Sequence, residues 1–284
     1  MPDDQSLAAS SNALQELAHV FYDAAKGAST RIMGNLRIGA LEKEASVTER
    51  FWAYMETGLD GQRISDLPTM KLSAVAFTDR GAPRDTIGVG ADMACFVRYD
   101  LPGLRWAKGF LGQSKLATVH GFHENGIPRV GLHSEEDYDR LTQQCAAMVN
   151  ISDESYAFFF STESVTVEKA ANLLRDLGES YPNKPWQDLH QFRKSPPVDI
   201  AQFYAAVAAC QLGEAMLDKP VDEGRSVFDM VRERRIETVL LLMVGTEVPQ
   251  KPLKRDSPEL DALAAEVPET YWLWTDLLQT LIQR

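Results

Sequence analysis

Gly90-Ala91-Asp92-Met93-Ala94-Cys95-Phe96-Val97 and, past a turn, Lys108-Gly109-Phe110-Leu111-Gly112-Gln113-Ser114-Lys115 are the residues from which the fold can be read. Ala91 to Tyr99 has the apolar content of a strand, Asp100-Leu101-Pro102-Gly103 has the chemistry of a tight connection, and Leu104 to Lys115 returns as the partner strand. The pair is predicted to form a β-hairpin. An acid opens the first strand; an amide and an amine, two residues apart, close the second. Because residues i and i+2 of a strand share a face, Gln113 and Lys115 project the same way, with Leu111 behind them.

Upstream, Leu7, Leu14, Leu17, Ala18, Phe21 and Ala25 recur at three- and four-residue spacing. They predict an amphipathic helix over Leu7 to Ala25, capped at Ser6, Ser10 or Ser11 and stopped by Gly27. A second helix is expected from about Leu41 to Thr57, with Leu41, Val47, Phe51, Tyr54 and Met55 inward and Gly58 following. Leu72 to Phe77 reads as a strand and Thr78 to Gly88 as a turn-rich segment.

Downstream, a polar loop carrying His120, His123 and His133 is expected before a helix that starts at Ser134. There Ser-Glu-Glu-Asp supplies an N-cap and an acidic first turn, and Tyr138, Leu141, Cys145 and Met148 face inward. Ser155 to Ser161, alternating Tyr156, Phe158 and Phe160, reads as a strand and Val167 to Leu177 as a helix. After the proline-bearing, polar Glu179 to Pro197, helices are expected over Ile200 to Leu217 and Val227 to Arg234. A buried strand over Thr238 to Val244 follows, then a terminal amphipathic helix with Trp272, Trp274, Leu277, Leu278 and Leu281. This order predicts one α/β domain over residues 1–284: a helical extension at 1–40, a core at 41–165 with a central mixed sheet flanked by helices, and a mainly helical part at 166–284.

Hydrophobic content of 44% with 25% charged residues is ordinary for a folded protein. No apolar run approaches the ~20 residues that cross a bilayer. Met1-Pro2-Asp3-Asp4 lacks the basic and apolar regions of a secretory signal, so a cytoplasmic protein without a membrane partner is expected. Cys95, Cys145 and Cys210 are odd in number and widely spaced, which suggests buried apolar positions rather than disulfides or a metal site. The net charge of -12 repels polyanions on average, so any nucleic-acid role needs local basic patches.

Phosphodiester hydrolysis needs a carboxylate to hold a divalent metal, further oxygen ligands, and a cation near the attacking water or the developing charge. Asp92, the Gln113 side-chain oxygen and the Ser114 carbonyl are ligands of the required kind, and Lys115 is the cation. The arrangement resembles the PD-(D/E)xK nuclease superfamily, the restriction-endonuclease-like fold, in the Mrr-type branch where the second acid is Gln. The family pattern is a small-residue turn followed by Asp, a hairpin, and a strand ending Gln-x-Lys. Here it stands as Gly90-Ala91-Asp92 and Gln113-Ser114-Lys115, and the likeness covers roughly Leu41 to Ser161. The resemblance implies that Asp92 binds Mg²⁺ or Mn²⁺, that Gln113 completes its shell, and that Lys115 orients the water or stabilises the transition state. It also implies a glutamate on the first core helix. Glu44 lies on the spacing of the buried stripe, whereas Glu49 falls nearly opposite Phe51, so Glu44 is chosen. A carboxylate in an apolar stripe is unfavourable without a cation or metal partner; a frayed helix start is the plainer account of the same residue.

The function this implies is a metal-dependent endodeoxyribonuclease acting on DNA in restriction or anti-phage defence. Gln113 and the charge of -12 favour a rival: a catalytically degenerate member that serves as a binding or scaffolding protein. A third reading is an unrelated α/β interaction protein in which Asp92 ends a turn and Lys115 is a solvated strand end. Asp79 and Asp85 are further carboxylates near the site, and Arg105 and Lys108 are expected beside Lys115. His120 and His123 lie on a glycine-containing loop without a suitably spaced fourth ligand, which argues against a zinc site. Gly88-Val89-Gly90 lacks the third glycine of a dinucleotide site. Arg232-Glu233-Arg234-Arg235 reads as a solvated helix face, and Trp272 with Trp274 as core or docking surface, leaving a homo-oligomer or a protein partner open.

Overall fold

Gly39, not Gly27, ends the first helix in the computed structural model. The structure describes residues 4–41, 43–64, 67–78, 90–101, 104–122, 128–177, 189, 197–209, 211–213, 220–222, 225–226 and 238–245. Helix α1 runs Asp4–Arg37, so Ser6, Ser10 and Ser11 lie inside it rather than capping it. The buried stripe of Leu14, Leu17, Phe21 and Ala25 continues through Ala28 and Ile32. That packing outweighs the ~1 kcal/mol propensity cost of one glycine in a helix. The stop comes where Gly39 adopts φ 68. Its N–H donates to the Leu36 carbonyl at 3.1 Å and the Ala40 N–H to that of Asn35 at 2.9 Å, the paired bonds of a Schellman motif.

Helix α2 (Glu44–Leu59) begins three residues later than expected and buries Val47, Thr48, Phe51, Trp52, Met55 and Leu59. Tyr54 is only half-buried, its hydroxyl accepting from Asn35 Nδ2 at 3.1 Å. Gly58 lies within the helix: a Cβ there would stand 3.1 Å from the Cβ of Ala24, so the glycine marks where α1 and α2 approach. The turn falls at Gly61, with φ 78.

The short β1 (Arg63–Ile64) leads to β2 (Leu67–Thr78), and the predicted hairpin follows as β3 (Met93–Leu101) and β4 (Leu104–Leu116). Its register pairs Met93 with Gly112 and Leu101 with Leu104. Beyond β4, the expected polar loop is instead a two-stranded ribbon, β5 (Thr118–Phe122) against β6 (Pro128–Gly131). Val130 and Leu132 anchor it in the core, which alternation within a histidine-bearing segment concealed. Helix α3 (Glu135–Ile151) starts as expected, the Ser134 Oγ accepting from the Asp137 N–H at 3.2 Å. β7 (Ser155–Phe160) is buried along its whole length.

Val165–Lys169 forms strand β8 and only Ala170–Leu177 is helical (α4), so the helix expected from Val167 starts later. The β-branched Val165, Thr166 and Val167 pair with Phe160, Phe159 and Phe158, and sheet pairing overrides the helical spacing. A two-residue β9 (Val198–Asp199) precedes α5 (Ile200–Ala208), which stops well short of Leu217; Gly213, at φ 95, is outside it. β10 (Pro220–Asp222) and β11 (Arg225–Ser226) pair with each other, and β12 (Thr238–Gly245) matches the predicted buried strand. Of the turn-rich segment expected over Thr78 to Gly88, Thr78 ends β2, and the rest, with the helices over Val227–Arg234 and near Trp272, the Arg232 cluster and Cys210, lies outside the described residues.

Among the described residues the main sheet is mixed and eight-stranded, in the order β1-β2-β12-β3-β4-β7-β8-β9. β12 runs antiparallel to β2 and parallel to β3, and β4 parallel to β7. Helices α1, α2 and α5 cover one face, and α3 and α4 the other. The α1 side holds the ring cluster of Phe51, Phe110, Tyr156, Phe158, Phe203 and Tyr204, and Trp52 Nε1 donates to the Tyr204 hydroxyl at 2.8 Å. Cys95 and Cys145 are buried, and burial pushes the Cys95 thiol far up.

Candidate active site

β3 is preceded by a turn that only glycine can make. Gly90 has φ 73, and a Cβ on it would stand 2.2 Å from the Gln144 carbonyl oxygen of α3. The turn therefore rests directly on the helix backbone and delivers Asp92 to the first rung of the hairpin. The Asp92 N–H donates to the Gly112 carbonyl at 3.1 Å, and its own carbonyl accepts from Thr238 of β12 at 3.0 Å. Gly112 is packed closely but less strictly constrained, since a Cβ there would lie 2.5 Å from Met93 Cε, the end of a flexible side chain.

Past Met93 the β3–β4 ladder continues through a side chain. The Asp92 carboxylate accepts from the Ser114 N–H at 3.2 Å and from Gln113 Nε2 at 2.9 Å. The same Gln113 nitrogen donates to the Ser114 carbonyl at 3.1 Å. Gln113 and Ser114 are buried, and Asp92 is half-buried.

Gln113 and Lys115 leave β4 on the side of Leu111, which packs with α3. Lys115 is 1% exposed, so the solvated strand end is not what forms. Its Nζ lies 3.4 Å from Glu44 Oε2, on the first residue of α2. Of the two helix glutamates considered from the sequence, Glu44 is the one beside Lys115. Asp92, Gln113 and Ser114 thus meet directly, Lys115 meets Glu44, and the two groups are joined through β4.

Other expected neighbours are elsewhere. Lys108 projects from the opposite face of β4, with Phe110, and its Nζ donates to the Leu212 carbonyl; alternation along the strand excludes it from the Gln113 side. The Arg105 side chain, Asp79, Asp85 and His123 are outside the described residues. His120 and His133 are exposed on the ribbon. Among the described residues, no three His, Cys, Asp or Glu side chains are placed to hold a metal ion. Any cation at Asp92 would depend on amide and carbonyl oxygens. Sequence reasoning missed Gln144, which is buried with no hydrogen-bond partner for Oε1 among the described residues. Its signal was a polar residue three positions after Leu141 on the inward stripe.

A second polar group lies at the N-terminal end of β7. Lys169 Nζ donates to Glu154 Oε1 at 2.7 Å, and the Tyr156 hydroxyl and the Gly213 N–H donate to Oε2. Burial alone would raise this carboxyl, but the Lys169, Tyr156 and Gly213 bonds outweigh it and hold Glu154 below the usual carboxylate range.

No protein family, curated protein or solved structure matches the chain. No helix among the described residues is long and apolar enough to cross a membrane.

Proposed function

We propose that the chain is a metal-dependent nuclease with a restriction-endonuclease-like core, hydrolysing DNA phosphodiester bonds where β3 begins and β4 closes. The observation that carries this reading is a pair of contacts two residues apart on β4: Gln113 Nε2 donating to Asp92 at 2.9 Å, and Lys115 paired with Glu44 of α2 at 3.4 Å. The order α2, β2, β3, β4, α3, β7 agrees with the helix, strands, helix and strand of the resemblance, with β12 added between β2 and β3. The setting that goes with it is restriction or anti-phage defence.

The donor set fits Mg²⁺ or Mn²⁺. One amide nitrogen donates to both Asp92 Oδ2 and the Ser114 carbonyl, so those two oxygens face a common point. Turning the Gln113 amide over would offer Oε1 there in place of the nitrogen. A single carboxylate with neutral oxygens and water is a usual Mg²⁺ environment. When bound, the metal supplies Lewis-acid polarisation of a phosphoryl oxygen and a more acidic water. Lys115 brings a positive charge to the phosphate as negative charge develops on it. Glu44 fixes the position of that ammonium, and Gly90 lets the turn close against the α3 backbone tightly enough to aim Asp92.

The same hydrogen bond favours a second reading, a degenerate member that binds without cutting, because Gln113 already satisfies Asp92 with no cation. Plasmid cleavage in Mg²⁺ or Mn²⁺ separates the two. The expected result is metal-dependent nicking by the wild type, lost in Asp92→Ala and reduced about 10²–10³-fold in Lys115→Ala, the scale for removing one transition-state donor. DNA binding by the wild type with no cleavage in either metal would leave the degenerate reading.

A further inference from the structure

We propose that Gln144 of α3 is a positioning residue of the candidate site, its side-chain oxygen accepting a hydrogen bond from a water carried by the divalent cation at Asp92. This rests on the nuclease reading and deepens it, adding a residue from the helix behind the sheet.

The amide of Gln144 sits where an apolar side chain would serve the fold better. It is 6% exposed, on the inward stripe of α3 whose Leu141, Cys145 and Met148 pack with Ala91, Ala94 and Leu111. Its Oε1 is buried with no hydrogen-bond donor among the described residues. A buried acceptor left unmade carries the full cost of its desolvation, and methionine would fill the same length without it. An orphan of this kind marks a place that a water or an ion completes.

Contact, height and face together bring that amide to the Asp92 cluster. The Gln144 carbonyl oxygen stands 2.2 Å, and the Ala147 Cβ 3.0 Å, from where a Cβ on Gly90 would be, and Asp92 follows Gly90 by two residues. Height comes from the register: α3 ends at Ile151, close before Ser155, which pairs with Leu111. Gln144 lies seven residues before Ile151, about 10 Å of helix. About 10 Å of strand beyond Leu111 is Ser114, whose N–H donates to Asp92. Leu111 packs with α3, and Gln113 shares its face of β4. Because β4 and β7 are parallel, α3 runs back against both, and helical side chains lean toward the helix N-terminus. The lean therefore carries the Gln144 side chain toward Gln113 and Lys115. Gln113 Nε2 is already committed to Asp92 and the Ser114 carbonyl, so the donor that fits Oε1 is one the cation brings. With a single carboxylate at the site, Mg²⁺ keeps several of its waters, and acceptors behind the ligands decide how such groups are held.

The test is Mn²⁺ binding to the full chain without DNA, read from the electron-spin-resonance signal of the free ion, beside melting temperatures with and without Mn²⁺. The variants are Gln144→Met, Gln144→Glu and Asp92→Ala. Gln144→Met is expected to melt at or above the wild-type temperature without metal, yet to bind Mn²⁺ about 10–100-fold more weakly, the scale for losing a group behind a metal ligand. Gln144→Glu keeps an acceptor, and is expected to melt lower without the ion and to bind it at least as tightly as the wild type. Asp92→Ala is expected to lose the binding. Unchanged Mn²⁺ affinity in Gln144→Met overturns the assignment and leaves the metal site standing. A Gln144→Met protein that melts lower without metal also overturns it, by showing that the fold itself uses the amide. Weakened binding in Gln144→Met with no DNA cleavage by the wild type supports the assignment while the hydrolytic reading falls. A wild type that binds no Mn²⁺, or binds it equally well as Asp92→Ala, overturns both the assignment and the metal-dependent reading.

Discussion

Gln113 Nε2 donates to Asp92 at 2.9 Å and to the Ser114 carbonyl at 3.1 Å, so one neutral amide satisfies two oxygens that a divalent cation would otherwise share. Replacing it with a carboxylate tests that equivalence. Gln113→Glu removes the donor and sets two acids side by side, so stability without metal should drop, and Mg²⁺ or Mn²⁺ should restore it by binding only the folded state. Melting temperatures with and without metal measure this. A Gln113→Glu protein whose melting is indifferent to both ions would show that no cation fits between these oxygens.

Lys115 and Glu44 are an unequal pair, 1% and 32% exposed. Glu44→Gln leaves a buried ammonium with a weaker partner. The expected loss is roughly 1–3 kcal/mol, below the full figure for breaking a buried pair because Glu44 reaches solvent. In Lys115→Met/Glu44→Gln most of that loss should be recovered, since no buried charge remains. Urea unfolding of both variants is the measurement, and equal losses would argue against an energetic link.

Glycines that the sequence alone treats alike should respond with opposite signs. Gly27→Ala meets nothing within 4 Å and is expected to stabilise α1 by about 0.5–1 kcal/mol. Gly90→Ala combines φ 73 with a contact 2.2 Å from Gln144 O, and should both destabilise the fold and displace Asp92. A Gly90→Ala protein with wild-type melting and cleavage would contradict the close approach described here.

Glu154 sets part of the acid limb of stability. Its folded-state acidity is stronger than in the unfolded chain, so its contribution is fully present above the unfolded carboxylate pKa and fades as pH falls through the lower folded value. Glu154→Gln should therefore lower stability at neutral pH and flatten the acid limb. Unfolding free energy measured from neutral to strongly acidic pH reads both effects.

Phe203 meets Phe110, Tyr156, Phe158 and Tyr204 edge-on, with ring centroids 4.8–5.4 Å apart. Phe203→Ala is expected to cost about 3–5 kcal/mol, the range for emptying a large core site. Denaturant midpoints at unchanged slope would check it.

The hairpin, α3 with its Ser134 cap, and β12 were legible because period and turn chemistry agree with tertiary packing there. Gly27 and Gly58 misled because a glycine's meaning depends on what stands opposite it, and neither the continuing stripe to Ile32 nor Ala24 is a local signal. Val165 to Lys169 fits a helix by spacing and a strand by β-branching, and pairing with β7 decides. For the site, Asp92, Gln113 and Glu44 could be picked by residue type and position. That Gln113 turns its nitrogen toward Asp92, and that Lys108 belongs to the other face with Leu212, depends on packing that no local pattern encodes.

The place of β12 has a consequence for how the chain reaches its native state. Its partners Ser73 and Arg98 stand about 145 to 170 residues before Met243, so the middle of the sheet closes only through contacts of very long sequence separation. Until residues 238–245 leave the ribosome, β2 and β3 each expose an unpaired edge, the kind of surface that invites association with other chains. Nascent chains that end before this strand should depend on chaperones, and Asp92, whose carbonyl is held by Thr238, should be among the last residues to lock into place.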